Sequence, residues 1–421
     1  MLNKIFRIPE LRNRILFTLF IILVFRFLAH IPVPGVDIEA VRSYLSGSQI
    51  FGLFDLFSGG GFQNFSIVTL GVGPYINASI AFQLLTLMIP QLEELSKEGE
   101  YGREKISQYT RMATVPLALL QSYGVYFLLR SQNVISSLAS FDLIVLILTL
   151  TSGTLFLMWI GEQVTEYGIG NGISLLIFVG IITRLPSSAL QLFTNSSGEQ
   201  ILTTLAFLGF SALVVYAIVL VNEGVRNIPL EYGRRSFSGP RSSGGNYLPI
   251  KINQAGVIPI IFAISIVLIP SFVSGPLLAA NSQLLQSIGD FLARNFQSTS
   301  MGYNLLYFVL VFAFTFFYTF LQFNPEKVAD DIRKRGGFIP GVRPGKSTHE
   351  YIKNVVLRLT LVGALFLGIV AVLPFIVQSI TGLQTFAIGG TGILIVVSVV
   401  LETVRQVEAL LVTRNYESFL E

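Results

Sequence analysis

The sequence predicts an all-α polytopic membrane protein with ten transmembrane helices, and three observations carry that prediction. Of 421 residues, 52% are hydrophobic and only 12% are charged, roughly half the charged share of a soluble domain. The mean hydropathy is +0.68. Ten apolar runs of 17 to 24 residues recur at 15–31, 71–89, 112–129, 141–161, 172–193, 202–222, 254–275, 303–323, 355–378 and 384–404. A hydrocarbon core about 30 Å thick needs about 20 helical residues to cross. A soluble enzyme is thereby excluded. The net charge of +4 is too small to argue for nucleic acid, and the absence of Cys removes disulfides, Cys-zinc sites and thiol catalysis.

Taken in order, the first span follows a basic start of Lys4, Arg7, Arg12 and Arg14 and holds Arg26 within it. It ends in Ala29-His30-Ile31-Pro32 without a small-x-small cleavage site, so it reads as a retained span. Residues 52–75 are apolar but broken by Gly52, Gly59, Gly60, Gly61, Gly71 and Gly73, with Gly47 flanking them. Such a segment cannot be one spanning helix, and non-helical backbone at membrane depth survives only inside protein or against water. A short half-helix folded back into a cavity, leading into the second span, fits better than a surface loop. The segment Trp159 to Ser174 joins spans four and five. Its Glu162 and Glu166 share a helical face, and three glycines follow them, so the pair reads as acids facing water at an interface turn. Later spans are separated by two long loops, 223–253 and 324–354, that mix Arg and Lys with turn-forming Gly and Pro.

Charge placement sets the orientation. With the N-terminus inside, 23 of the 28 Lys and Arg fall in cytoplasmic segments and 4 in the opposite loops. This asymmetry predicts both termini in the cytoplasm. The spans divide into halves at 1–193 and 194–421, a pattern that suggests an inverted repeat of transporter type, although no residue-level similarity relates the halves. Catalytic signatures fail. Gly341 to Thr348 resembles part of a phosphate-binding loop, but Pro340 stands where the motif needs glycine, and no strand is expected before it. With only His30 and His349 present, there is no His-Glu-x-x-His helix, and there is no Gly-x-Ser-x-Gly elbow. No catalytic residue, metal or cofactor is expected. Few ionisable residues lie mid-membrane, where ion-coupled transporters keep them. An interior of Val and Ile suits a seal, and a ten-span transporter of a small neutral solute is the alternative.

Gly71-Val72-Gly73-Pro74-Tyr75-Ile76, running on to Leu85, and Trp159 to Leu175 resemble the two signatures of the SecY family, the channel subunit of the protein-conducting translocon. The resemblance continues through Pro249 to Ala263, Gly337 to Gly345 and Gly389 to Val397, and covers essentially the whole chain. It implies an hourglass channel of two five-span halves, hinged between spans five and six and opening sideways between spans two and seven. By motif, Val72, Ile76, Ile173, Ile177, Ile261 and Ile395 correspond to the family's aliphatic pore ring. Residues 52–66 correspond to its plug, including Leu53, Phe54, Asp55, Leu56, Phe57, Gly59, Gly60, Gly61 and Phe62. On this reading the glycines let the plug fit inside a cavity and move out of it. Gln83 and Asn253 match polar positions of the lateral gate, where polar contacts would hold the gate shut. Arg234, Arg235, Lys251 and Arg343 match the surface that docks the SecA motor or, alternatively, the ribosome. The family further implies SecE and SecG subunits, signal sequences and unfolded polypeptides as substrates, and the lipid bilayer. The short loops are similar to those of bacterial members, which implies the cytoplasmic (inner) membrane.

Overall fold

A helix, or in one case a helix pair, underlies each of the ten apolar runs. The computed structural model describes residues 8–417 except 35, 37, 42–57, 63, 132–133, 136–137, 195–197, 233–245, 268, 279, 281, 297–299 and 382–384. The elements begin with α1 (Pro9–Leu28), α2 (Gly73–Met88), α3 (Pro90–Lys97), α4 (Glu100–Ser131), α5 (Ser140–Tyr167), α6 (Gly172–Thr194) and α7 (Gly198–Glu223). Strands β1 (Val225–Tyr232) and β2 (Asn246–Lys251) follow, then α8 (Ile258–Val267), α9 (Ile269–Leu278), α10 (Gln283–Asn295), α11 (Met301–Gln322) and α12 (Pro325–Lys334). The short β3 (Gly337–Phe338), α13 (Lys346–Thr381) and α14 (Thr385–Glu417) complete the order.

Local chemistry explains the boundaries. Pro9, Pro90 and Pro325 each open a helix, where the fixed φ of proline suits the first turn and its missing N–H costs nothing. Asn324 caps α12, its side-chain oxygen accepting from the backbone N–H groups of Glu326 and Lys327 at 3.0 and 3.2 Å. Ile89 is extended before Pro90, so α2 and α3 meet at a 101° bend. Several helices outrun their apolar cores. The third predicted span starts at 112 but α4 starts at Glu100, and α14 runs on to Glu417. Hydropathy marks only the stretch that prefers lipid, whereas the backbone ladder continues into water. The seventh predicted span is shortened instead: α8 begins at Ile258, because Asn253 to Gly256 forms a turn in which Gly256 has φ +65°.

The helices are apolar on both their packed and their outer faces. On α1, Leu11, Ile21 and Phe25 are buried while Leu16, Leu19, Phe20, Leu23 and Phe27 are exposed. A water-facing surface would not carry that second set, and a lipid-facing one does. Among the described residues four helical stretches are long and apolar enough to cross a bilayer unaided: Glu100–Arg130, Ser140–Tyr167, Met301–Lys334 and Lys346–Gln378. Some hydroxyls within them bond back to their own helix, as Thr114 does to Thr110 O at 2.8 Å and Thr315 to Val311 O at 2.7 Å. No polar group is thereby left bare toward hydrocarbon at these positions.

Packing follows two groups. In the first, α2 lies on α4, α4 on α5, α5 on α6, and α1 on α5 and α6. In the second, α8 lies on α11, α11 on α13, and α14 on α13 and α7. Between the groups α2 touches α8, α4 touches α9, and α6 touches α14.

The two long loops fold together, which is where the structure adds to an all-α expectation. They build an antiparallel sheet in the order β2-β1-β3, with Ile228 opposite Leu248 and Glu231 opposite Phe338. Ile228, Leu230 and Ile250 pack from the sheet onto Ala329 and Ile332 of α12, Ile339, and Ile352 and Val356 of α13. This is a small separate core outside the main helix bundle.

Candidate functional site

Six aliphatic side chains named from the motifs come from four elements. Val72 caps α2 and Ile76 lies one turn on; Ile173 and Ile177 lie one turn apart on α6; Ile261 lies on α8 and Ile395 on α14. The i, i+4 spacing projects each pair from one helical face. Five of the six are at most 5% exposed, Ile173 is partly buried, and all belong to one continuous apolar cluster. That cluster draws on both helix groups. The close approach of its helices depends on glycine: a Cβ on Gly172 would lie 1.9 Å from Gly161 O, and one on Gly161 would lie 2.5 Å from Ile173 Cδ1.

Against this cluster lies the glycine-rich segment that follows residue 57. Leu53, Phe54, Asp55, Leu56 and Phe57 fall outside the described residues; Gly59, Gly60, Gly61 and Phe62 fall within them. The chain turns through Gly59 at φ +66° and Gly60 at φ +86°. It is pinned by Phe62 N–H to Ser58 Oγ at 2.9 Å and by Ser66 N–H to Gly61 O at 2.9 Å. A Cβ on Gly59 would stand 2.1 Å from the Phe25 ring of α1. The same stem pairs with the chain just beyond α1, through Val33 N–H to Phe65 O at 2.9 Å and Ile67 N–H to Ile31 O at 3.0 Å. Phe62 and Phe65 are buried with Val33, Leu129 and Leu150 in a second cluster, and Val68 joins the cluster that holds the six aliphatics. The glycines at 59 and 61 thus permit tight packing at these two positions.

The two polar residues assigned to the side opening are not joined. Gln83 on α2 donates to Ser79 Oγ at 3.3 Å, within its own helix. Asn253 is buried, donates to Asn222 Oδ1 at 2.8 Å and accepts from Gly256 N–H at 3.1 Å; Asn222 in turn donates to Ser398 Oγ of α14 at 2.9 Å. Asn253 therefore ties the start of α8 to α7 and α14. Among the described residues no hydrogen bond links Gln83 to Asn253. The contact between α2 and α8 that accompanies them is present.

One end of the molecule gathers the polar and basic groups. Arg14 reaches Gly168 O at 3.3 Å, Ile169 N–H donates to Thr18 Oγ1 at 3.2 Å, and Gly170 N–H donates to Gln406 of α14. Arg405 binds Glu223 at 2.7 Å and Asn222 O at 2.9 Å. Glu162 is not simply solvated: Arg111 of α4 holds it at 2.7 Å. Lys251 lies half-buried in β2, and burial together with nearby Arg405 lowers its pKa, against the opposing pull of Glu223 and Glu402. Arg343 is exposed at the tip of a turn. Buried Ile339 anchors that turn on one side, and Thr348 Oγ1 donates to Arg343 O at 3.0 Å on the other. Gly341 and Gly345 supply its left-handed positions. Arg234 and Arg235 fall outside the described residues.

Sequence reasoning did not single out Asn222, Ser398, Gln406 or the Phe25–Arg26 pair. Each acts on a partner far along the chain, often on a backbone atom, and such partners leave no local spacing to read.

Two groups of helices that share one buried aliphatic cluster and carry apolar outer faces make a multi-pass membrane protein with an apolar interior. The chain belongs to the SecY family, whose model matches residues 66–404. Relatives described as protein translocase subunit SecY are similar over nearly their full length. That of Thermus thermophilus is 44% identical over 430 residues, covering 98% of this chain and 96% of its own. That of Aquifex aeolicus is 40% identical, covering 100% and 99%. Solved structures share the fold. A SecY structure described in connection with its plug domain and closed channel has a TM-score of 0.63 at 18% identity, covering 97% of this chain and 96% of that one. Sec61 in the canine ribosome–channel complex has a TM-score of 0.57 at 16% identity, with the same coverage. The protein is a multi-pass membrane channel for polypeptide translocation and not an enzyme, and the small-solute transporter alternative is not favoured.

Proposed function

We propose that Val72, Ile76, Ile173, Ile177, Ile261 and Ile395 form the constriction through which a polypeptide passes, and that residues 52–66 plug it when idle. A ring of branched aliphatic side chains excludes water and ions by dewetting, yet offers a passing chain no specific binding group. The halves 1–193 and 194–421 part between α2 and α8, so that an apolar signal sequence or membrane segment leaves sideways into lipid. Both termini and the basic loops face the cytoplasm of a bacterial inner membrane. There Arg343, Lys251, Arg234 and Arg235 dock the SecA motor or the ribosome, and anionic protein or RNA surfaces suit them by charge. SecE and SecG complete the complex. The solved Sec61 and Ssh1 relatives were found with ribosomes, which supports the ribosomal part of this reading.

The observation that carries the proposal is the convergence of six motif-assigned aliphatics, from four separate elements, in one buried cluster. The test is photo-crosslinking of a stalled secretory precursor to probes at positions 72 and 76. Crosslinks there, and none to probes at lipid-facing Leu23 or Leu305, are expected. Crosslinks to the lipid-facing probes alone would sink the constriction.

A further inference from the structure

Arg26 is a cation in the last turn of α1, inside the first apolar run, where its charge needs water or a polar partner. Among the described residues no carboxylate lies within ion-pair distance of it. Its Nη1 donates instead to the carbonyl oxygen of Gly59, 33 residues along the chain, at 2.8 Å. Three features build that bond. Gly59 and Gly60 adopt left-handed conformations that turn this carbonyl toward α1. Gly60 brings the backbone alongside the guanidinium, since a Cβ built there would lie in ordinary contact with Nη1 at 3.6 Å. The Phe25 ring sits directly under Gly59. Further along, the stem is held to α1 and its extension by Asn64 Nδ2 to Ala29 O at 3.3 Å and by the backbone bonds of Phe65 and Ile67. Those bonds fasten residues 64–67. Arg26 fastens the leading edge.

We propose that Arg26 is a positioning residue, a cationic latch that fixes Gly59 to Phe62 against α1 in the idle channel; this rests on the plug reading above. A guanidinium suits the task because a hydrogen bond from a charged donor to a carbonyl is stronger than a neutral one, and more so where water is scarce. The bond is nevertheless single and reversible, so an arriving polypeptide has only one charged contact to displace at that edge.

The test compares Arg26→Met, Arg26→Gln and Arg26→Lys channels in the complete membrane complex. Export of a precursor with a defective signal sequence, ion conductance of the idle channel and the thermal midpoint of the purified protein are measured. Arg26→Met should raise defective-signal export and idle conductance by about tenfold, the effect expected from losing one charged hydrogen bond. Arg26→Lys should restore most of the seal. Wild-type tightness of Arg26→Met would overturn the latch, and so would equal leakage of all three variants together with a lowered thermal midpoint, since that marks a packing role only. If Arg26→Met does not accumulate, the same comparison of Arg26→Gln with Arg26→Lys decides. A failed latch with intact precursor crosslinks at 72 and 76 leaves the channel reading standing; loss of those crosslinks in the unaltered chain removes it.

Discussion

At the scale of single residues, environment rather than identity sets behaviour, and two lysines make the point. Lys251 is partly desolvated beside Arg405, which disfavours its charged form. Lys97 is exposed and bonded to Glu93 at 2.7 Å, which favours it. Only the neutral amine is nucleophilic, so a depressed pKa brings reactivity on at lower pH. Acylation of Lys251, followed by mass spectrometry, should reach its half-maximal rate below the ordinary lysine value of 10.5, and that of Lys97 above it. Coincident midpoints would contradict the assigned surroundings. Asn253 illustrates the limit of a motif. Its polarity is legible in the sequence, but its use is not, because Asn222 and Ser398 lie on other helices. Glu162 belongs with it: an acid at an interface turn reads as solvated until the fold brings Arg111 alongside.

At the scale of elements, glycine decides how closely helices meet. Gly172 opens α6 where a Cβ would strike the backbone oxygen of Gly161 on α5 at 1.9 Å, whereas Gly209 on α7 has nothing within 4 Å of that position. Backbone cannot yield as a side-chain tip can. Gly172→Ala should therefore destabilise the folded channel by more than about 2 kcal/mol, the range of an overpacked core. Gly209→Ala should be neutral or stabilise by up to about 1 kcal/mol through helix propensity. Denaturation in detergent checks both, and equal effects would refute the close crossing. The spans themselves were readable because a bilayer demands some 20 apolar residues in a row. The sheet was not. β1 carries its alternation in Ile228 and Leu230, but its partners lie in β2 and, across five intervening helices, β3. That distance hides the pairing and makes two loops one body.

For the whole molecule, the proposed gating rests on the relation between the two helix groups. They meet at α2–α8, α4–α9 and α6–α14, and the apolar cluster that holds the proposed constriction spans the junction. A polar atom introduced there would hydrate the seal, since a buried amide without partners costs about 1–3 kcal/mol in proteins and attracts water instead. Ile395→Asn should raise idle ion conductance and the export of precursors with defective signals, while normal precursors still pass. Bilayer recordings that match the unaltered channel would remove Ile395 from the constriction. The sequence by itself determined the membrane class, the ten apolar runs, the charge asymmetry and the motif-bearing positions, because hydrophobicity and charge act on the chain locally. Only the tertiary structure decided which helices share the main apolar cluster, that Asn253 bonds to Asn222, and that Arg26 meets a glycine carbonyl. Those outcomes depend on groups dozens to hundreds of residues apart, and on backbone atoms that every residue carries alike, so no pattern in the sequence could announce them.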